Sequence, residues 1–191
     1  IQLLAASAQV DGVNENERLL IQKFLEDNFG EEYIDKYLEL FDKYVSQNVD
    51  VANICQNLNE ELTRTQKVIV ITNILEMNIS DGIASEKEQN LVKKIAELFH
   101  LDLAEYETIR KFVLESFSED NIHQNIVWID GIAKADIDYK HIFRDKLDGA
   151  IGILRIPSME MYLLKYAGSS NIYLNSVGIK DRHVYTFPVG S

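Results

Sequence analysis

Apolar residues recur at helical spacing in three stretches of the chain. Ile34, Tyr37, Leu38, Phe41, Tyr44 and Val45 form a stripe over residues 31–46. Leu91, Val92, Ile95, Ala96, Leu98 and Phe99 form a second over 85–99. Leu103, Tyr106, Ile109, Val113 and Phe117 form a third over 102–117. Residues 1–9 also read as helix. Between Thr65 and Ile79 the pattern changes: Val68, Ile69, Val70, Ile71, Ile74, Leu75 and Met77 cover most of the circumference. A helix apolar on all sides belongs at the centre of a bundle.

Beyond residue 120 the period shortens. Residues 125–129, 150–156, 161–166, 172–174 and 183–187 are short β-branched or aromatic runs, which predict strands. Turn signals separate them, among them Asp148-Gly149, Ile156-Pro157-Ser158 and Val177-Gly178. Residues 130–141 read as a polar linker. About five short strands in such a length predict part of an antiparallel sandwich or barrel. The expected class is therefore α+β, with a helical bundle over 1–120 and a β-rich segment over 121–191.

Charge follows the same division. Residues 1–120 hold 24 carboxylates against 11 basic residues, a net −13, and residues 121–191 carry +1. Sixteen of the seventeen glutamates lie in the first part, and both prolines in the second, as helix and turn chemistry require. A net charge of −12 disfavours nucleic acid and anionic lipid as direct partners. The lone cysteine, Cys55, cannot form an internal disulfide and reads as a small buried apolar residue. No apolar run approaches the length of a membrane span. The chain begins within a helical pattern and stops within a strand pattern, so it reads as part of a longer protein.

The main motif is an internal repeat. Ala8-Gln9-Val10-Asp11-Gly12 followed by Glu17 recurs as Asn78-Ile79-Ser80-Asp81-Gly82 followed by Glu88, with one residue fewer in the first loop. Each copy is a helix, an Asp-Gly turn and a second helix. Two readings of it stay open. In the architectural one, Asp-Gly ends a helix, and Asn14-x-x-Glu17 and Ser85-x-x-Glu88 are capping boxes that begin the next; Asp102-x-x-Glu105 is a third cap. In the chemical one, Asp81 and Glu88, with Asp11 and Glu17 as the weaker pair, bind a divalent cation. Asp81-Gly82-x5-Glu88 matches the second half of a calcium loop, but Met77 and Ile79 stand where the first acidic ligands should be.

The duplicated turn between amphipathic helices resembles the tellurite-resistance TerB-like domain over roughly residues 1–117. The resemblance implies an all-helical, pseudo-duplicated bundle, and it offers Asp81 and Glu88, then Asp11 and Glu17, as metal ligands. The segments His141–Gly149, Ile153–Ile156, Met161–Gly168 and Ile172–Asn175 look like part of certain large bacterial ABC transporter ATP-binding proteins. There, a TerB-like bundle and a small β domain similar to a forkhead-associated fold precede the nucleotide-binding cassette. The phosphothreonine-reading signature of that β fold is absent, with Asn175-Ser176 in place of Asn-Gly. This implies a non-catalytic regulatory or scaffolding region with protein partners, at work in the cytoplasm and held near the inner membrane face by its parent.

No phosphate loop, hydrolase elbow or zinc-ligand spacing occurs, and the four histidines are scattered. Trp128 reads as a packing residue of the first strand.

Overall fold

The computed structural model describes the chain except residues 80, 81, 83, 116, 119–123, 135, 136 and 189–191, and except the side chains of residues 11, 27, 28 and 188. It divides into two compact units, Ile1–Leu114 and Glu115–Ser191.

Among the described residues the first unit holds seven α-helices: α1 (Gln2–Asp11), α2 (Glu15–Phe29), α3 (Ile34–Val45), α4 (Val51–Glu61), α5 (Arg64–Asn78), α6 (Glu86–Leu98) and α7 (Leu103–Leu114). The repeat becomes two helix pairs, α1–α2 and α5–α6. Helix α1 packs on α5 and α6, while α5 packs on α1 and α2, so each copy's first helix lies against both helices of the other copy.

Two helices are central rather than one. In α5, Val68, Ile71, Ile74, Leu75 and Met77 are buried, as the all-round apolar pattern predicts. Helix α1 buries Leu3, Leu4, Ala5, Ala6, Ser7 and Ala8 in unbroken succession. Its alanines and serine are small enough for neighbouring helices to close around it. Two polar residues are buried where these helices meet: Ser7 Oγ donates to Asn78 Oδ1 at 2.8 Å. Gln9, two residues on, donates its amide to the carbonyls of Tyr44 and Val45, and so caps the exposed C-terminal end of α3.

The second unit is a five-stranded sheet in the order β2-β1-β3-β4-β7, with a separate β5–β6 hairpin. Its strands are β1 (Ile126–Asp130), β2 (Lys140–Phe143), β3 (Ala150–Ile156), β4 (Met161–Ala167), β5 (Tyr173–Leu174), β6 (Val177–Gly178) and β7 (Val184–Pro188). One face gathers Ile126 and Trp128 from β1, Leu154 and Ile156 from β3, and Met161 and Leu163 from β4, all buried.

Three expectations are corrected. The sheet is mixed rather than antiparallel, because β2 runs parallel to β1, with Trp128 opposite His141. The stretch 130–141 is not simply a polar linker: its first residue ends β1 and its last two begin β2. Period-2 apolar patterning could not find β2, a short edge strand whose buried anchor is polar. The third helical stripe was expected to run to Phe117, but α7 ends at Leu114. Phe117 belongs to the second unit, where its ring meets that of Trp128 with centroids 4.6 Å apart.

Candidate functional site

The turns were the sequence's best candidates, and their described parts are closely alike. Gly12 and Gly82 both take positive φ, +90° and +116°, a region that L side chains rarely enter. After each, a capping box opens the next helix. Asn14 accepts the Glu17 N–H at 2.9 Å, and the Glu17 carboxylate accepts the Asn14 N–H at 2.7 Å. Ser85 accepts the Glu88 N–H at 3.3 Å, and the Glu88 carboxylate accepts the Ser85 N–H at 2.7 Å. Both glutamates are nearly sealed from water, at 5% and 6% exposure. Their burial is possible because the helix N-terminus supplies an N–H donor and a favourable dipole.

Asp81 lies outside the described residues, as does the side chain of Asp11, so the structure places only the glutamate of each expected pair. Among the described residues no group of three or more His, Cys, Asp or Glu side chains is arranged to hold a metal ion. The donor chemistry itself sets a limit. Each expected pair offers two carboxylates, whereas calcium takes six to eight oxygens. A small ion that keeps most of its water fits such a set better than a dehydrated one.

Two further caps follow the same local chemistry. Asp102 accepts the Glu105 N–H at 2.9 Å, as its sequence spacing predicts. Thr63 and Gln66 form another capping box at the start of α5, which the sequence reading missed although Thr-x-x-Gln is a recognised signature. Cys55 is fully buried, and burial pushes its thiol up to about 11, which leaves it an inert apolar side chain.

The most concentrated polar chemistry lies in the second unit, where the sequence reading placed none. Asp130, 4% exposed, ends β1. Its Oδ2 accepts the Trp128 indole N–H at 2.7 Å and the Lys134 ammonium at 2.6 Å. Its Oδ1 accepts the Ile132 N–H at 2.9 Å and lies 3.0 Å from His141 Nε2. Lys134 also faces the rings of Trp128 and Tyr139, 6.0 Å from each centroid. Burial alone would raise the Asp130 carboxyl, but donors from Lys134, the Ile132 backbone, His141 and Trp128 together hold it well below the usual carboxylate range. The cluster thus joins β1, the following loop and β2. Every one of these side chains has a partner within the cluster, which is the mark of a fold-specifying network more than of a poised reactive centre. The signal available in the sequence was slight: an aspartate closing the apolar run Ile126-Val127-Trp128-Ile129, with a lysine four residues on.

No helix among the described residues is long and apolar enough to cross a membrane. No curated protein and no solved structure matches the chain. A family model does: that of tellurite resistance protein TerB matches residues 1–111, which is nearly the whole helical unit. The chain belongs to this family, which is not known as a catalytic one.

Proposed function

We propose that the chain is a non-catalytic scaffolding or regulatory region of a bacterial ABC-type ATP-binding protein. One observation carries the non-catalytic part of this reading. The buried carboxylates Glu17, Glu88 and Asp130 each hold a helix cap or join neighbouring strands, so the polar chemistry described above serves architecture. The membership of the helical unit in the TerB family supports it, and so does the sequence resemblance of residues 141–175 to the segment that precedes a transporter cassette. On this reading the chain works in the cytoplasm, through protein contacts. The gene provides the test. A phosphate loop, Gly-x-x-x-x-Gly-Lys followed by Ser or Thr, is expected within a few hundred residues downstream, and its absence would remove the proposed parent.

A second reading rests on the pairing of Asp81 and Gly82 with the buried Glu88. A carboxylate has lone pairs for both a cap N–H and a cation, so capping does not forbid coordination. Here Asp81 and Glu88, and more weakly Asp11 and Glu17, would hold a hydrated divalent cation. Titration calorimetry with calcium, magnesium, manganese and zinc tests this. Binding should vanish in Asp81→Asn yet survive in Ser85→Ala, which breaks the cap and keeps both carboxylates. Heats unchanged in Asp81→Asn would rule that ligand out.

A further inference from the structure

The corner between α2 and α3 presents aromatic rings to solvent. Phe29 ends α2 and is 43% exposed; Tyr33, in the 3-10 turn that follows, is 47% exposed. Both group with Tyr37 of α3, with centroids 4.5 Å apart for Phe29–Tyr37 and 6.5 Å for Tyr33–Tyr37. Exposed apolar residues are common singly, but three adjoining rings form a patch that favours a partner. The surroundings select which partner. Residues 26–42 carry seven carboxylates and one basic residue, Lys36. Glu31, Glu32 and Asp35, which adjoin the rings in sequence, are all exposed.

We infer that this corner docks an arginine-rich segment of a protein partner. A guanidinium stacks on an aromatic face and pairs with a carboxylate at the same time, whereas an ammonium is a compact, strongly hydrated charge that does so less well. Nucleic acid and anionic lipid carry the wrong sign for this surface. The inference deepens the scaffolding reading by naming the chemistry of a partner. It does not depend on the ABC-type parent, which the gene sequence tests separately.

Fluorescence anisotropy of the 191-residue chain with labelled nona-arginine and nona-lysine, at physiological salt, decides the matter. Nona-arginine should bind more tightly than nona-lysine. Phe29→Ala/Tyr33→Ala should weaken nona-arginine by about fivefold with charge unchanged. Glu31→Gln/Glu32→Gln/Asp35→Asn should weaken both peptides. The remote triple Glu60→Gln/Glu61→Gln/Glu97→Gln, which removes the same charge elsewhere, should weaken them clearly less. Should the aromatic pair variant melt early, Tyr33→Ala alone replaces it, since that ring is half exposed. Equal losses from the two charge triples, or no loss on removing the rings, would overturn the inference and leave only diffuse attraction to an acidic chain.

Discussion

Glu17 and Glu88 in the helical unit and Asp130 in the sheet unit are all nearly sealed from water, yet their hydrogen-bond donors come from different sources. Each glutamate sits in the first turn of a helix and accepts a backbone N–H from three residues before it. The donor is part of the chain's own local geometry. Asp130 instead draws on an indole, an ammonium, an imidazole and one backbone N–H, brought together by a strand, a loop and a parallel neighbour. A capping glutamate therefore depends on a handful of consecutive residues, whereas Asp130 depends on the register of the sheet. Losing a cap leaves backbone groups at a helix end that water can reach. Losing Asp130 takes a carboxylate from the Lys134 ammonium, whose side chain is largely buried.

The largest expected effect follows from that contrast. Asp130→Ala should destabilise the sheet unit by about 3–5 kcal/mol, because Lys134, whose side chain is 10% exposed, would lose the buried carboxylate it pairs with. Trp128 is the only tryptophan and donates to Asp130, so thermal melting followed by its fluorescence reports on this unit. Adding Lys134→Met should recover part of the loss; if the double variant is no better than the single, the buried charge is not the cause.

Acid should act on the same pair. The folded Asp130 carboxyl lies below its unfolded value of about 4, so its contribution is complete above that value and fades as the pH falls through the folded one. The fluorescence melting temperature should stay level between about pH 7 and 5 as far as Asp130 governs it, then drop below about pH 4. Asp130→Asn should lessen the drop, and an unchanged profile in that variant would show that other carboxylates govern it.

A smaller effect is expected at the caps. Ser85→Ala should cost about 1 kcal/mol and Asn14→Ala a similar amount, read as denaturant midpoints by far-ultraviolet circular dichroism. Costs matching that of Asp130→Ala would erase the contrast between local and tertiary stabilisation. Least of all should come from Arg18→Ala. Arg18 pairs with Asp42 at 2.6 Å, and that hydrogen bond pulls the Asp42 carboxyl down, but both side chains are about half exposed. Solvent screening should keep its contribution within about 1 kcal/mol in the same measurement.

What the sequence determined by itself was whatever a short window of residues can enforce. Helix periodicity placed α3, α5 and α6 closely, and the repeated Asp-Gly turn announced the duplicated helix pairs. The spacing of Asn14 with Glu17 and of Ser85 with Glu88 identified both caps, because donor and acceptor lie three residues apart. Strands β3 and β4 were legible for the same reason: short β-branched or aromatic runs between strong turn signals. Only tertiary structure could decide the rest. Helix α1 became a second core helix because small residues allow close approach, a property invisible until a neighbour is present. Phe117 continued a helical stripe in sequence but found a better surface on Trp128. Strand β2 escaped notice because its pairing partners on β1 lie thirteen residues back, and the Asp130 cluster because His141 reaches it through that pairing rather than through any periodicity. A buried charge needs several donors at once, and when those donors come from different elements only the fold determines where they converge.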